Sequence, residues 1–200
     1  MINFINIEKS EPYNKFVSFY DRAFSENQIN IQAMCISSYS TKEGFVDSRF
    51  VNLKYIDSNK WTFFSNYNGP KSKQFLSHEQ ISILFYWNTI DVQVRMRANI
   101  EKTSSEQSDD HFLNRSNLKN ALAISSSQSN KISSYEEVQK QYKDVLDDPV
   151  KLSKRPNYWG GYSFTPYYIE FWQGHESRIN KREVFEHVNN GDWNSYFLQP

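Results

Sequence analysis

The chain has 200 residues with 23 basic and 23 acidic side chains, and 16% of its residues are aromatic. This length suits one domain, residues 1–200, with a substantial core, and the aromatic content favours packed sheets over a helical bundle. The balanced charge argues against a broad nucleic-acid-binding surface, which usually needs a basic excess.

The cysteine content, the histidines and the hydropathy pattern exclude further classes of protein. Cys35 is the single cysteine, so no intrachain disulfide can form, and the four histidines lack the spacing of metal ligands. The longest apolar stretch, Ile83–Trp87, is far too short to cross a bilayer, and the N-terminus lacks the pattern of a signal peptide. We therefore expect a soluble, cytoplasmic protein with no metal, membrane or nucleic-acid partner.

The first half of the chain predicts a helix followed by closely spaced strands. Apolar spacings near three and four predict the helix over 12–24. Strands are predicted at 32–40, 45–56 and 61–66, joined by short turns typical of antiparallel hairpins. A short helix follows with Pro70 in its first turn, then strands at 80–87 and 91–102. The second of these strands alternates apolar and polar residues from Val92 to Ile100, which is a strong strand signal.

The second half predicts helices and then strands again. Segments 104–115 and 117–126 look helical, 125–134 is a polar loop, and a capping box of Ser134 and Glu137 begins another helix. An exposed connector at 147–158 leads to strands at 159–174, 177–188 and 193–199, with a turn at 189–192. The whole indicates a mainly β protein: an antiparallel barrel or sandwich of six to eight strands with helices packed on it.

Basic residues in three segments are candidates for anion binding. Arg49 and Lys54 are five residues apart on one predicted strand and would point to opposite faces. Both can touch one ligand only if it lies over the strand end or if a bulge turns one of them; otherwise they are the charged ends of an ordinary strand. Lys71 and Lys73 lie in the first turn of a short helix, which makes either a phosphate cradle or a plain capped surface helix.

The third segment follows Trp172, where Arg178, Asn180 and Arg182 alternate and are predicted to share one strand face. Guanidinium pairs suit phosphate, although a solvated edge strand is the rival interpretation. Gln93 on a solvated strand face, and Gln128 with Ser129 in the polar loop, need no ligand to explain them. Since the chain offers anion-binding parts without an evident nucleophile, it suits an enzyme whose chemistry belongs to a bound cofactor.

Taken in order, these segments resemble the pyridoxine (pyridoxamine) 5′-phosphate oxidase family, from about Gln32 to the last residue. The family's late signature, EFWQG followed by an R-x-H-x-R pattern, stands here as EFWQGHESRINKR. The resemblance implies a split β-barrel flavoprotein that works as a homodimer, with FMN bound between the subunits. The implied FMN contacts are Arg49, Phe50, Val51, Asn52, Leu53, Lys54, Phe64, Ser65, Lys71, Gln93, Gln128, Ser129, Trp172 and Arg182.

The chain also departs from the family's pattern. Pro70 stands where the family usually has a phosphate-binding Arg, a loss that Lys73 is expected to offset in part. The implied substrate contacts are Lys54, His111, Arg115, Lys119, Arg178 and Asn180, with Arg178 and Asn180 in the catalytic role. Among these, His111 replaces a Tyr, Lys119 a Ser and Asn180 a His, and an amide cannot exchange a proton near neutral pH.

By resemblance, the reaction is the oxidation of pyridoxine or pyridoxamine 5′-phosphate, a phosphorylated B6 vitamer. A hydride moves from the substrate's C4′ to flavin N5, which yields pyridoxal 5′-phosphate from the alcohol directly and from the amine after an imine is hydrolysed and ammonia leaves. Dioxygen then reoxidises the flavin and gives hydrogen peroxide. Two alternatives stay open: an FMN-dependent oxidase of another ring substrate, as in the phenazine-biosynthesis relatives, or a non-catalytic flavin- or pyridoxal-phosphate-binding protein.

Overall fold

One sheet of ten strands runs through residues 1–188 and 191–200, the part of the chain that the computed structural model describes. The strands are β1 (Asn3–Ile5), β2 (Ala33–Ser40), β3 (Phe45–Asn52), β4 (Tyr55–Asp57), β5 (Lys60–Asn66), β6 (Gln80–Trp87), β7 (Val92–Lys102), β8 (Trp159–Gln173), β9 (Lys181–His187) and β10 (Trp193–Leu198). The helices are α1 (Glu11–Ser25), α2 (Pro70–Ser77), α3 (Ser105–Leu113), α4 (Asn117–Ser125), α5 (Tyr135–Leu146) and α6 (Pro149–Leu152).

The sheet forks at β8. Its main path runs β1-β4-β5-β8-β7-β6-β2-β3, while β9 and then β10 branch from β8. The first part of the 15-residue β8, 159–164, pairs with β5, and its last part, 168–173, pairs with β9. All pairs are antiparallel except β1 with β4, which are parallel. The prediction of a mainly β barrel with helices is therefore confirmed, but the strand number of six to eight was too low and the sheet is mixed.

Aromatic side chains fill the space between the sheet and α1. Phe16 on α1 packs edge-on against Trp61 and Phe85, with ring centroids 4.5 and 5.4 Å apart. The predicted alternation in β7 is confirmed, since Val92 to Ile100 bury every second side chain in this core. None of the helices in the described ranges is long and apolar enough to span a membrane.

Predicted strand boundaries were wrong at two places that matter for the site. The strand predicted over 45–56 breaks at Leu53 and Lys54, because the backbone N–H of Leu53 donates to Gln32 while that of Lys54 donates to Thr62 on β5. The chain thus leaves its β2 partner and crosses to another strand.

The strand predicted over 177–188 begins only at Lys181, and residues 174–180 form a loop. The connector at 147–158 contains the short helix α6. Of the turn predicted at 189–192, Asn189 and Asn190 lie outside the described residues.

Candidate functional site

A cavity of about 750 Å³ lies between the edge strand β3, the end of β5, the start of α2 and the α3–α4 helices. Its volume is within the range of about 300–1,000 Å³ that is usual for small-molecule sites. Most of the predicted site residues line it, namely Arg49, Phe50, Val51, Asn52, Lys54, Phe64, Ser65, Lys71, His111, Arg115, Lys119, Gln128 and Ser129. Segments far apart in the sequence therefore converge on one place.

Arg49 and Lys71 form the first basic cluster of the cavity. Lys71 is only 8% exposed, and its ammonium donates to Ser65 Oγ at 2.9 Å and to Gln128 Oε1 at 2.7 Å. Burial, with the charge of Arg49 acting in the same direction, lowers the pKa of Lys71 to about 8, although Asp47 opposes the change. A buried ammonium at the start of α2 is suited to an anionic group that restores its preference for the charged form.

The guanidinium of Arg49 is held by neutral groups and by one carboxylate. Its Nη1 donates to Ser38 Oγ at 2.6 Å, and its Nη2 donates to Gln74 Oε1 at 2.9 Å. Asp47 Oδ2 accepts from the same Nη2 at 2.7 Å. Arg49 is therefore rigidly placed at the wall of the cavity.

Lys54, Arg115 and Lys119 form the second basic cluster. Burial, together with the charges of Lys119 and Arg115, lowers the pKa of Lys54. Arg115 lies over the ring of Trp159 at 4.5 Å, and its buried Nη1 has no hydrogen-bond partner within the described ranges. Buried donors are normally paired, so three neighbouring cations with an unpaired guanidinium nitrogen indicate a site for an anion.

His111 stands beside the second basic cluster in a stack of aromatic rings. Its ring lies parallel to Phe64 with centroids 3.7 Å apart, and the hydroxyl of Tyr55 is 2.7 Å from its Nδ1. Burial, and then the charges of Arg115, Lys54 and Lys119, lowers the pKa of His111 to about 4. The imidazole is therefore neutral at neutral pH and serves as a flat, hydrogen-bonding wall rather than a fourth cation.

The remaining predicted residues do not line this cavity. Gln93, Trp172 and Arg182 are register partners across β7, β8 and β9, so they lie in one row on the outer face of the sheet. Arg182 Nε donates to Glu170 Oε1 at 2.8 Å. Leu53 is fully buried in the main core, so only its backbone can meet a ligand.

Arg178 and Asn180 lie in the loop 174–180, and the prediction that they share a strand face with Arg182 was wrong. Arg178 has a φ of +64°, in the left-handed region, which breaks the extended alternation. Asn180 Oδ1 accepts a hydrogen bond from the backbone N–H of His175 at 3.1 Å, so this amide holds the loop. Lys73, expected to replace the cation lost at Pro70, is exposed and does not line the cavity.

Several cavity residues were missed from the sequence. Asp47 precedes Arg49 by two residues on β3, so period two places it on the same face, and this signal was available. Trp159 and Asn66 are register partners across β5 and β8, and only that pairing brings them to the cavity. Asn114 and Ser116, at the α3–α4 connection, likewise depend on tertiary structure.

Family models match most of the chain. Residues 22–147 match the model described as pyridoxamine 5′-phosphate oxidase, which is more than half of the chain. The chain belongs to this family. Residues 159–200 match the pyridoxine 5′-phosphate oxidase C-terminal dimerisation region.

Curated members of the family are similar along nearly the whole chain. A pyridoxine/pyridoxamine 5′-phosphate oxidase of Herminiimonas arsenicoxydans is 31% identical over 96% of this chain and 90% of its own length. One from Bombyx mori is also 31% identical, over 94% of this chain and 74% of its own length. The family named from the sequence is thereby confirmed.

Solved structures confirm the family fold. PhzG from Burkholderia lata 383, in complex with tetrahydrophenazine-1-carboxylic acid, matches with a TM-score of 0.89 at 24% identity, covering 96% of this chain and 93% of that one. A pyridoxamine 5′-phosphate oxidase-related, FMN-binding protein from Nostoc punctiforme PCC 73102 matches with a TM-score of 0.80 at 13% identity, covering 96% and 100%. At these identities the likeness concerns the fold.

The residues present fit a phosphorylated aromatic cofactor. The first basic cluster supplies a buried ammonium and a fixed guanidinium, and β3 offers its edge beside aromatic Phe64. Across residues 1–188 and 191–200, no three His, Cys, Asp or Glu side chains converge in the manner of metal ligands. The ammonium and the guanidinium of the first basic cluster are donors that suit a phosphate group.

Proposed function

We propose that this protein is an FMN-dependent oxidase that converts pyridoxine or pyridoxamine 5′-phosphate to pyridoxal 5′-phosphate, with dioxygen as acceptor. The observation that carries the proposal is one cavity with two basic clusters, Arg49–Lys71 and Lys54–Arg115–Lys119. Cofactor and substrate each bring a phosphate, and each cluster serves one of them. Residues 1–200 act together as one FMN-binding domain in this proposal.

At the first basic cluster, Arg49 and Lys71 hold the phosphate of FMN with charge-assisted hydrogen bonds. Gln128 and Ser129 approach from the loop after α4 and close this end. The backbone from Phe50 on β3 to Lys54 just after it, with Phe64 and Ser65 on β5, meets the flavin ring.

At the second basic cluster, Lys54, Arg115 and Lys119 hold the phosphate of the substrate. The unpaired Nη1 of Arg115 gains its missing acceptor there. Neutral His111 lines the same place and offers a hydrogen bond through its ring nitrogen without adding charge. The three cations orient the substrate before any chemistry takes place.

The remaining site residues come from a second copy of the chain in a homodimer. Gln93, Trp172 and Arg182 lie on the outer sheet face, and the last two fall within the match to the C-terminal dimerisation region. In this proposal they reach the flavin across the two-fold axis, while Arg178 reaches the substrate and Asn180 holds the loop that carries Arg178. The proposal therefore requires that two chains complete each site.

FMN supplies the redox chemistry when bound: it accepts a hydride from the substrate and delivers the electrons to dioxygen. The chain's own residues bind and orient. Arg178 projects from a turn whose left-handed backbone is held by neighbouring hydrogen bonds, and it covers the substrate ring. Asn180 fixes that turn through the N–H of His175, a positioning role that needs no proton exchange.

An anaerobic absorbance titration tests the reaction. Protein loaded with FMN should lose the oxidised flavin absorbance and form up to one equivalent of pyridoxal 5′-phosphate when pyridoxamine 5′-phosphate is added without oxygen. The absorbance should return when air is admitted. The matched comparison is pyridoxamine without phosphate, which should reduce the flavin far more slowly. An Arg115→Gln variant should reduce this preference. If FMN binds but neither phosphorylated vitamer reduces it, the oxidase assignment fails.

Mixing two defective chains tests the shared site. Chains carrying Lys71→Gln or Arg182→Gln should each form dimers with weak FMN binding. Refolding them together gives mixed dimers in which one of the two sites has both residues intact. FMN binding and turnover should rise to about a quarter of the wild-type value, because half of the dimers are mixed and each has one good site. No recovery would place all site residues within one chain.

A second candidate keeps FMN and changes the substrate. Asn180 is committed to the loop and cannot act as an acid or base, which favours a ring substrate whose oxidation needs no proton from this position. Turnover of a ring carboxylate in preference to both phosphorylated vitamers would support it. A cytoplasmic location stays a prediction from the sequence.

A further inference from the structure

Asp47 carries the only carboxylate among the cavity-lining residues of the described chain, and it contacts the first basic cluster. Two residues before Arg49 on β3, it shares the inward face of that strand. Its Oδ2 lies 2.7 Å from Arg49 Nη2. This cluster therefore combines the charges of Arg49 and Lys71 with that of Asp47, a net charge of +1, whereas the second basic cluster has three cations and no such partner.

The four terminal N–H groups of Arg49 are already engaged. Ser38 Oγ and the carbonyl of Ile36 accept from Nη1, while Gln74 Oε1 and Asp47 accept from Nη2. A phosphate oxygen that takes one of these hydrogen bonds must displace an acceptor. Ser38 and Gln74 are buried, so displacing them would strand a buried polar group.

Asp47 is the replaceable acceptor. Its side chain is 45% exposed, against 17% for Arg49, so its carboxylate can turn into water and be solvated there. An exposed ion pair of this kind is weak, which makes the exchange with a dianionic phosphate favourable overall. The carboxylate nevertheless remains close to the phosphate after it turns away, and it repels it.

We propose that Asp47 competes with the phosphate of FMN for Arg49 and so sets the affinity of this protein for its cofactor. The inference rests on the proposed function, because it takes FMN as the ligand of the first basic cluster. The Asp47 carboxylate weakens the binding of the cofactor phosphate at the first basic cluster, whereas the second basic cluster has no carboxylate beside it among the cavity-lining residues of the described chain.

The test measures the dissociation constant of FMN from the quenching of flavin fluorescence. Asp47→Asn removes the charge and keeps the shape, and Asp47→Ser also shortens the side chain. Both variants should bind FMN about three- to tenfold more tightly than the wild type, as a screened repulsion at this exposure implies. Riboflavin, which lacks the phosphate, should bind all three proteins equally. Asp21→Asn on the exposed face of α1 controls for the change in net charge.

An Arg49→Gln background distinguishes competition for the Arg49 guanidinium from a general electrostatic effect of the Asp47 charge. There the gain from Asp47→Asn should be clearly smaller than in the wild-type background, because no guanidinium remains to compete for and only the screened repulsion between the carboxylate and the phosphate is left. Unchanged or weaker FMN binding by the folded Asp47 variants would overturn the inference, since the carboxylate would then serve to position Arg49. If neither the wild type nor the variants bind FMN, the proposed function itself falls, and this inference with it.

Discussion

Raising the pH above about 8 should weaken FMN binding, because Lys71 loses its proton there. Burial lowers the pKa of this ammonium to about 8, with the nearby charge of Arg49 as a second cause. A phosphate monoester has its second pKa near 6, so its dianion does not change in charge at alkaline pH. Since the dianion prefers the charged Lys71, binding above pH 8 takes up a proton.

The size of the effect follows from that linkage. Affinity should fall by up to tenfold for each pH unit above about 8, until the pH reaches the higher pKa that Lys71 has in the complex. A charge-assisted hydrogen bond contributes about 1.5–3 kcal/mol, so the total fall is about ten- to hundredfold. Lys71→Arg keeps its charge throughout, and its affinity should stay level over the same range.

The assay is a series of FMN dissociation constants from pH 6.5 to 9.5 at constant ionic strength. The wild type should show a level region and then a decline, Lys71→Arg should stay level, and Lys71→Gln should be weak and level. Riboflavin isolates the phosphate contribution and should show no decline. An equal decline in Lys71→Arg would place the titrating group elsewhere, and a level wild-type profile to pH 9.5 would refute the lowered pKa.

Three further predictions follow from the second basic cluster and from the packing around it. Burial lowers the pKa of His111 in the folded protein to about 4, below its ordinary 6.5, so the stability it contributes is complete above pH 6.5 and is lost as the pH falls toward 4. In urea unfolding over that pH range, the free energy of unfolding of His111→Tyr should fall by about 1–2 kcal/mol less than that of the wild type, a figure discounted for partial exposure. Parallel pH dependences of the two proteins would contradict this. Lys119→Ser should raise KM for pyridoxamine 5′-phosphate about three- to tenfold and leave unphosphorylated pyridoxamine unaffected, in steady-state kinetics; an equal change for both amines would exclude a phosphate contact. Gly160→Ala should lower the free energy of unfolding by about 1–3 kcal/mol, since the added Cβ would overlap the hydroxyl of Tyr67 and lie 2.9 Å from Ser108 Oγ. An unchanged midpoint of thermal unfolding would mean that these side chains move aside without cost.

Elements with several periods of apolar patterning could be predicted from the sequence. The helix predicted over 12–24 is observed as Glu11–Ser25, and the alternating strand is observed as Val92–Lys102. β1 and α6 were missed because three and four residues hold too little of a period to be recognised. α5 begins where the sequence predicted, since Ser134 Oγ accepts a hydrogen bond from the backbone N–H of Glu137. The carboxylate of Glu137, however, accepts from Gln141 Nε2 instead of closing the capping box.

Convergence of the site residues could not be predicted from local patterns. Arg49 and Lys54 were expected on opposite faces of one strand; they line one cavity because β3 ends at Asn52 and the chain then crosses to β5. The alternation predicted for Arg178 through Arg182 assumed extended backbone. β8 instead ends at Gln173, where the backbone N–H of Gly174 donates to the Asp91 carbonyl in a contact too close for a Cβ, and Arg178 enters the left-handed region. Each departure reflects a tertiary contact.

Two arginines proposed to bind the cofactor, Arg49 and Arg182, each form an ion pair with a carboxylate, and the burial of that carboxylate distinguishes their roles. Glu170, 1% exposed, accepts from Arg182, Arg95 and Tyr168; burial favours its neutral form, but these partners hold the pKa of Glu170 below its ordinary value. Removing such a partner would leave a buried charge unpaired, so this pair persists whatever binds nearby, and Arg182 offers a ligand its orientation more than its charge. Arg49 has an exposed carboxylate that can leave, and its charge is therefore available to a phosphate. Cofactor affinity accordingly depends on the exposed Arg49–Asp47 pair, while the buried Arg182–Glu170 pair stabilises the outer face of the sheet.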